Sequence, residues 1–251
     1  MPTSRTKISS LPAGDEAVQR ANYWPFAVAR AVPLLAAGLI VTFSADHSAS
    51  FGLTVFGGFA LVNGVVVSVL ARRRLISTGV RGLLISAGVI SVVLGVVALV
   101  LRGDGVSALL LVLSGWAALT GALELYAGLR CRGRHVASGD FLTVGGLTAL
   151  AAVVFVLIPP EYSQRFVGPD NVRRVLDAAV VAVGLLGAFA VILAVFLTVA
   201  GLSAKWGTQV QSTGDAPLSA PDTDPTAPRA TDDHTEDPTP PSSDIWKGHT
   251  Q

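Results

Sequence analysis

The chain has 251 residues, of which 51% are hydrophobic and 14% are charged, and its mean hydropathy is +0.59. Soluble domains normally carry about a quarter charged residues, so this composition excludes a soluble globular protein and indicates an integral membrane protein. The single cysteine, Cys131, excludes an intrachain disulfide framework and a cysteine cluster for a metal.

A polar segment precedes a series of apolar stretches. Residues 1–22 are mixed in charge and lack the basic stretch and adjoining apolar core of a secretory signal, so we expect a cytoplasmic segment. Six continuous apolar stretches follow, each roughly 20 residues long, which is the length a helix needs to cross about 30 Å of hydrocarbon. They do not alternate with a period of two, which favours helices over a barrel. The predicted fold is an all-α membrane protein with a transmembrane domain at 23–203 and spans at 24–43, 50–70, 80–101, 106–128, 138–158 and 176–200.

The basic residues near the spans predict the orientation. One side carries Arg5, Lys7, Arg20, Arg72, Arg73, Arg74, Arg81, Arg130, Arg132, Arg134 and Lys205. The other side has Arg102, Arg165, Arg173 and Arg174. Because Lys and Arg concentrate in cytoplasmic loops, we expect a multi-pass protein of the plasma (inner) membrane with both termini in the cytoplasm. Basic residues that serve topology in this way do not indicate nucleic-acid binding.

The C-terminal segment, residues 204–251, differs in composition from the rest of the chain. It is rich in Pro, Asp, Thr and Ser and has few large apolar residues. Such a segment buries too little surface to offset its ordering entropy, so we expect a disordered, acidic cytoplasmic tail. Two interpretations stay open, a solvated spacer and a docking segment for a cytoplasmic protein.

An internal repeat is visible in the even-numbered spans. The sequences GGFALVNG at 57–64, SGWAALTG at 114–121 and GAFAVILA at 187–194 share small residues, one aromatic residue and an alanine at fixed positions. The odd spans echo each other more weakly, with Arg30 eight residues before Gly38 and Arg81 seven residues before Gly88. We therefore predict three tandem helical hairpins, at about 24–70, 80–128 and 138–200. The small residues allow close helix packing, and the aromatic residues fill the adjacent grooves.

The repeats resemble a known family. The stretches VRGLLISAGVISVVLGVVAL and SGWAALTGALELYAGLRCR are similar to the HdeD-type acid-resistance membrane proteins, and the resemblance covers about residues 26–203. It implies a six-helix inner-membrane protein linked to acid or general stress, with no established reaction or cofactor. Asn63 stands where the first repeat of that family often carries aspartate, and the long loop in the third hairpin and the acidic tail also depart from its pattern.

Glu124 is a carboxylate set inside the fourth span. Helical spacing places it on one face with Ala117, Thr120, Gly121 and Gly128, and about 9 Å from Arg130 along the axis, in the cytoplasmic half of the bilayer. Because an unpaired charge in hydrocarbon costs several kcal/mol, we expect an ion pair with Arg81 or Arg30 that fixes the helix register. The competing hypothesis makes Glu124 a proton acceptor linked to function.

Other candidates are fewer. His47, beside Asp46 in the first external turn, is a candidate pH sensor because histidine titrates near physiological pH. The chain has no phosphate-binding loop, no HExxH motif and no recognisable catalytic set, so neither enzymatic activity nor a cofactor or metal is expected.

The most specific functional hypothesis is a non-enzymatic membrane protein of the acid or general stress response, with the lipid bilayer as its partner. Two alternatives stay open: a proton or small-solute permeation pathway that uses Glu124, and a scaffold that recruits cytoplasmic proteins through the tail. Whether the protein forms a homo-oligomer also stays open.

Overall fold

A computed structural model describes residues 13–74, 78–167 and 173–214 of the chain. Within these ranges, six helices are long and apolar enough to cross a membrane, which confirms the predicted all-α membrane fold. A turn of 3-10 helix, Leu101–Gly103, connects the third helix to the fourth. The elements are α1 (Ala13–Phe43), α2 (Ala49–Arg74), α3 (Thr78–Val100), α4 (Gly105–Arg130), α5 (Ser138–Leu157), β1 (Ser163–Val167), β2 (Arg173–Asp177) and α6 (Ala178–Gly214).

The first and last helices extend beyond the predicted spans. Helix α1 begins within the segment predicted to be polar and cytoplasmic, and α6 continues to Gly214. Residues 204–214 were predicted to belong to a disordered tail, and that prediction is wrong for them. No proline stands between Ala178 and Gly214 to break the helix. The remainder of the predicted tail, residues 215–251, and residues 1–12 lie outside the described residues.

The long loop of the third repeat contains a small antiparallel sheet that sequence analysis did not predict. Strands β1 and β2 pair in a register that runs from Ser163 opposite Asp177 to Val167 opposite Arg173. Asp177 ends the sheet and starts α6, because its carboxylate Oδ1 accepts a hydrogen bond of 2.9 Å from the backbone N–H of Val180. This bond caps a helix N-terminus, and it fixes where α6 begins.

The helices are paired differently from the predicted hairpins. The most extensive contacts join α1 to α6, α4 to α5 and α2 to α3, whereas α5 and α6 scarcely touch. Two of these close pairs therefore join one repeat to the next, and the third joins the last helix of the chain to the first. The bundle is closed into a ring by α1 and α6.

Glycines form the close contacts within these pairs. A Cβ built on Gly64 would lie 2.5 Å from the carbonyl oxygen of Gly88, and one on Gly121 would lie 2.7 Å from the backbone nitrogen of Ala149. On the third pair, a Cβ on Gly38 would lie 3.3 Å from the carbonyl oxygen of Gly187. In lipid, the hydrophobic effect does not drive helices together, so close packing of one helix backbone against another is expected.

The same contacts define which positions of the repeats are equivalent. Gly38 approaches Gly187, and Gly95 approaches Gly57. Because Gly187 and Gly57 occupy the same repeat position, Gly38 corresponds to Gly95, which lies 57 residues later. The predicted correspondence of Gly38 with Gly88 is wrong by seven residues, which is two helical turns.

Alanine substitution at two glycines of α4 tests this packing. Gly121→Ala should lower the free energy of unfolding by about 1–3 kcal/mol, because its methyl group overlaps the α5 backbone. Gly115→Ala is the matched control, since no atom of another helix in the described residues lies within 4 Å of its Cβ position, and it should cause no loss. Thermal unfolding in detergent measures both. Equal losses at the two positions would contradict the packing described.

Candidate functional site

Arg30 and Glu124 form a buried ion pair inside the bundle. The guanidinium Nη2 of Arg30, on α1, donates a hydrogen bond of 2.6 Å to the carboxylate Oε1 of Glu124, on α4. The two residues are 5% and 4% exposed. Arg30 also lies over the ring of Phe26, with 5.7 Å between its Cζ and the ring centroid. Of the two arginines considered for Glu124, the structure places Arg30 beside it.

Arg81 lies too near one end of the bundle to reach Glu124. By the repeat correspondence, the position in α3 equivalent to Arg30 is Ala87, six residues beyond Arg81 and thus about 9 Å further along the helix. Arg81 is half-buried and takes part in no ion pair among the described residues. The sequence alignment of Arg30 with Arg81 was therefore misleading about which arginine is in register with Glu124.

The pair occupies positions that the other repeats fill with apolar residues. Gly88 on α3 approaches Ser68 on α2, and Gly145 on α5 approaches Leu125 on α4. Because Ser68 and Leu125 occupy the same repeat position, Gly145 corresponds to Gly88, and this correspondence aligns α5 with α3. The counterparts of Arg30 are Ala87 and Val144, and those of Glu124 are Val67 and Leu197; all four are buried. The equivalent positions in the other repeats are therefore buried and apolar, and only Arg30 and Glu124 place charges at them.

A small cavity adjoins the pair. Its volume is about 20 Å³, and its polar lining residues are Arg30, Asn63, Ser91, Thr120, Glu124 and Thr148. The three hydroxyl groups donate hydrogen bonds of 2.7 to 2.9 Å to backbone carbonyls one turn earlier in their own helices. By contrast, Arg30 Nε, Asn63 Oδ1 and Glu124 Oε2 are buried and have no hydrogen-bond partner among the described residues.

Aromatic rings fill the bundle on one side of the pair. Phe59, Trp116 and Phe189 occupy equivalent positions on α2, α4 and α6, and Trp116 contacts the other two with centroid distances of 5.7 and 6.3 Å. The indole N–H of Trp116 donates to Ser91 Oγ at 3.0 Å. Trp116 lies eight residues before Glu124, or about 12 Å along the axis. The three rings therefore pack against one another, whereas the sequence predicted only that each fills a groove between helices.

The opposite end of the bundle, where Arg20, Arg72–Arg74, Arg81, Arg130, Arg132, Arg134 and Lys205 lie, is called here the arginine-rich end. Tyr23 is buried there against Phe26 and Phe141, with ring centroids 6.0 to 6.3 Å apart. Asp140, in the first turn of α5, lines a surface cavity together with Tyr23. Asp140 is therefore a further carboxylate within the predicted spans.

His135 lies in the turn between α4 and α5 at the arginine-rich end. Its Nδ1 accepts a hydrogen bond of 3.1 Å from the Ala137 N–H, and its ring lies 6.2 Å from that of Phe141. Burial lowers the pKa of His135 from its ordinary value of 6.5. In the same turn, burial raises the pKa of the Cys131 thiol, which makes it a poor nucleophile.

His47 is remote from this cluster. It lies in the turn between α1 and α2, and α1 ends 13 residues, or about 20 Å, beyond Arg30. Beside it, a hydrogen bond of 2.8 Å from the Ser48 N–H lowers the pKa of Asp46. The structure therefore brings Arg30 and Glu124 together and leaves both Arg81 and His47 apart from them.

Sequence analysis missed several residues of the site. Asn63, Ser91, Thr148 and Asp140 drew no attention as site residues, although a signal existed for two of them. Ser91 and Thr148 are 57 residues apart, the spacing that separates Gly38 from Gly95, so a more accurate alignment of the odd spans would have grouped them. No family model, no curated protein and no solved structure matched the chain when it was compared with each.

Exchanging the charged pair for apolar residues tests its coupling. Arg30→Met or Glu124→Leu alone should lower the free energy of unfolding by about 3–5 kcal/mol, because each leaves the other charge buried and unpaired. The double variant should recover most of this loss, since Glu124→Leu introduces the residue found at Leu197. Arg81→Met combined with Glu124→Leu is the control, and it should show no recovery. If the stability lost in the Arg30→Met/Glu124→Leu double variant equalled the sum of the two single losses, a direct pair would be contradicted.

The pH dependence of stability tests the burial of His135. Because its pKa is lowered in the folded chain, protonation favours the unfolded chain, and stability is lost as the pH falls below about 6.5. His135→Gln should therefore flatten the fall in Tm between neutral and mildly acid pH. His47→Gln is the matched control and should leave the profile as in the wild type. An unchanged profile in His135→Gln would show that this histidine does not contribute.

Proposed function

We propose that the chain is a non-enzymatic protein of the plasma membrane that acts in the response to acid or general stress, with the Arg30–Glu124 pair as its acid-sensitive element. The observation that carries the proposal is the presence of two charges where the other repeats use apolar residues. A buried ion pair is weak evidence for stability, because apolar residues of similar volume often stabilise a protein equally or better. The fold does not need these charges to pack, so a functional role explains them better.

The pair can respond to acid because its two members depend on each other. A proton on Glu124 would remove the negative charge that compensates Arg30, and Arg30 would then be buried without a counter-charge. Such a state relaxes by moving α1, which carries Arg30, relative to α4. Because α1 also closes the ring with α6, a movement of α1 changes the contact between the first and last helices.

The position of the pair favours a proton that arrives from the arginine-rich end. The charge distribution predicts that this end faces the cytoplasm. The titratable groups on this side include Tyr23 on α1, Asp140 on α5 and His135 in the turn between α4 and α5, as well as Asp15 and Glu16 in the first turn of α1. On the other side, among the described residues, the rings of Phe59 and Trp116 fill the interior. The proposal is therefore a sensor of cytoplasmic acidification.

The same geometry argues against the permeation alternative. A proton pathway needs a continuous series of polar groups or waters across the membrane, and conduction also requires that a bound proton can leave. The cavity beside the pair is about 20 Å³, and the aromatic contacts of Trp116 lie between it and the far end.

Resemblance to the HdeD-type proteins supports the same physiological class. The tandem small-residue repeats of this chain resemble those of that family, and the chain has six apolar helices long enough to cross a membrane. The proposal adds a specific pair of residues to that resemblance.

Tryptophan fluorescence of the full chain in liposomes tests the proposal. In a background with Trp24, Trp206 and Trp246 replaced by phenylalanine, Trp116 is the reporter, and its hydrogen bond to Ser91 makes it sensitive to the cavity. With Arg30 and Glu124 unchanged, the fluorescence emission of Trp116 should change as the pH is lowered. Glu124→Gln, which carries a neutral group at every pH, should show the acid emission already at neutral pH. Arg81→Met is the control and should respond like the wild type.

Proton flux in the same liposomes separates sensing from permeation. With a trapped pH dye and an imposed pH gradient, the proposal predicts no flux above that of empty liposomes. Flux that Glu124→Gln abolishes would contradict it and establish the permeation alternative. An identical fluorescence transition in wild type and Glu124→Gln would also contradict the proposal.

A further inference from the structure

The cavity beside the ion pair has three buried polar atoms that lack a partner. They are Arg30 Nε on α1, Asn63 Oδ1 on α2 and Glu124 Oε2 on α4. All three residues line the same cavity and are at most 5% exposed. A polar atom that is removed from water without a hydrogen bond destabilises the fold, so native proteins satisfy nearly all of them. Three such atoms from three helices at one cavity indicate a ligand that satisfies them together.

The chemistry of the three atoms defines that ligand. Arg30 Nε carries a hydrogen and can only donate, whereas Asn63 Oδ1 and Glu124 Oε2 can only accept. The ligand must therefore accept one hydrogen bond and donate two. We infer that the cavity binds a single water molecule, which accepts from Arg30 Nε and donates to Asn63 Oδ1 and Glu124 Oε2.

The size of the cavity agrees with one water molecule. A buried water needs a cavity of roughly 10–15 Å³ and two to four polar partners. The cavity measures about 20 Å³ and offers three partners. The hydroxyls of Thr120 and Thr148 donate to backbone carbonyls, so Arg30 Nε is the buried donor of this cavity that lacks an acceptor.

A metal cation fits the same cavity less well. It would use the two oxygens but leave Arg30 Nε without an acceptor, and it would place a second positive charge beside a carboxylate that is already paired. An anion would satisfy Arg30 but would face the oxygens of Asn63 and Glu124. Water is the species whose donors and acceptor match all three atoms.

Asn63 has no amide counterpart at the equivalent positions of the other two repeats. Its equivalents are Thr120, which bonds to its own helix, and Leu193, which is apolar. A buried amide at a position that tolerates leucine needs a partner to be retained without loss of stability. The water links α2 to the Arg30–Glu124 pair, so that three helices, α1, α2 and α4, share one hydrogen-bond network.

An experimental structure of the full chain in lipid nanodiscs, at a resolution where buried waters are visible, tests the inference. The wild-type map should show one density peak within hydrogen-bond distance of Arg30 Nε, Asn63 Oδ1 and Glu124 Oε2. The peak should persist when sodium is exchanged for a larger monovalent cation. Absence of the peak, in a map that resolves comparable buried waters, would overturn the inference, as would a peak that depends on the cation.

Two variants extend the test to stability. Asn63→Leu introduces the residue of the third repeat, should remove the peak, and should lower Tm by roughly 3–10 °C because Arg30 Nε and Glu124 Oε2 lose their partner. Thr120→Val is the matched control, which removes a hydroxyl of the same cavity but should retain the peak. A higher Tm in Asn63→Leu would overturn the inference. If Asn63→Leu fails to fold, the wild-type map decides alone, and its outcome does not depend on the acid response proposed above.

Discussion

A charge inside a membrane protein must find its counter-charge within the protein, because the surrounding hydrocarbon offers none. In this chain, that constraint joins α1 to α4 through Arg30 and Glu124, which are 94 residues apart in sequence. The packing of the helices lets the two side chains meet. Glycines bring the helix backbones into contact, and the closure of α1 against α6 sets the depth at which Arg30 lies.

The apolar spans could be predicted because their length and composition follow from the thickness of the bilayer alone. The even-numbered repeats could also be aligned, since Phe59, Trp116 and Phe189 mark the same position. The neighbours of each helix could not be predicted from the order of the helices. A loop connects α5 to α6, for example, although these two helices scarcely pack against each other. The partner of Glu124 was likewise undetermined: Arg30 and Arg81 both start odd spans, and only backbone contacts such as that of Gly38 with Gly187 define the register.

Smaller features escaped sequence analysis for local reasons. The strands β1 and β2 lie in a loop whose composition resembles any polar connection, and α6 continues past its apolar part because nothing stops it before Gly214. Asn63 was noted as a departure from a family pattern and not as part of a site. Its importance depends on a cavity that forms between helices, and no single helix encodes such a cavity.

The fold consists of three repeats whose equivalent positions are mostly similar. At one set of positions, one instance carries charged and polar residues where the others carry apolar ones. Two instances of the packing are apolar and serve structure, whereas the third carries the ion pair, the cavity and Asn63. This asymmetry is the physical basis for assigning a function to one region of an otherwise regular bundle. It also explains why Arg81 and His47, which attract attention in the sequence, lie apart from that region.

The central claim is that Glu124 is ionised and paired with Arg30 in the membrane. Solid-state NMR on the full chain in lipid bilayers, with ¹⁵N-labelled arginine and ¹³C-labelled glutamate, measures it most directly. We predict a strong dipolar coupling between the Arg30 guanidinium nitrogens and the Glu124 side-chain carboxyl carbon, whose chemical shift should be that of a carboxylate at neutral pH. A coupling of Glu124 to Arg81 instead, or no coupling to any arginine, would contradict the account.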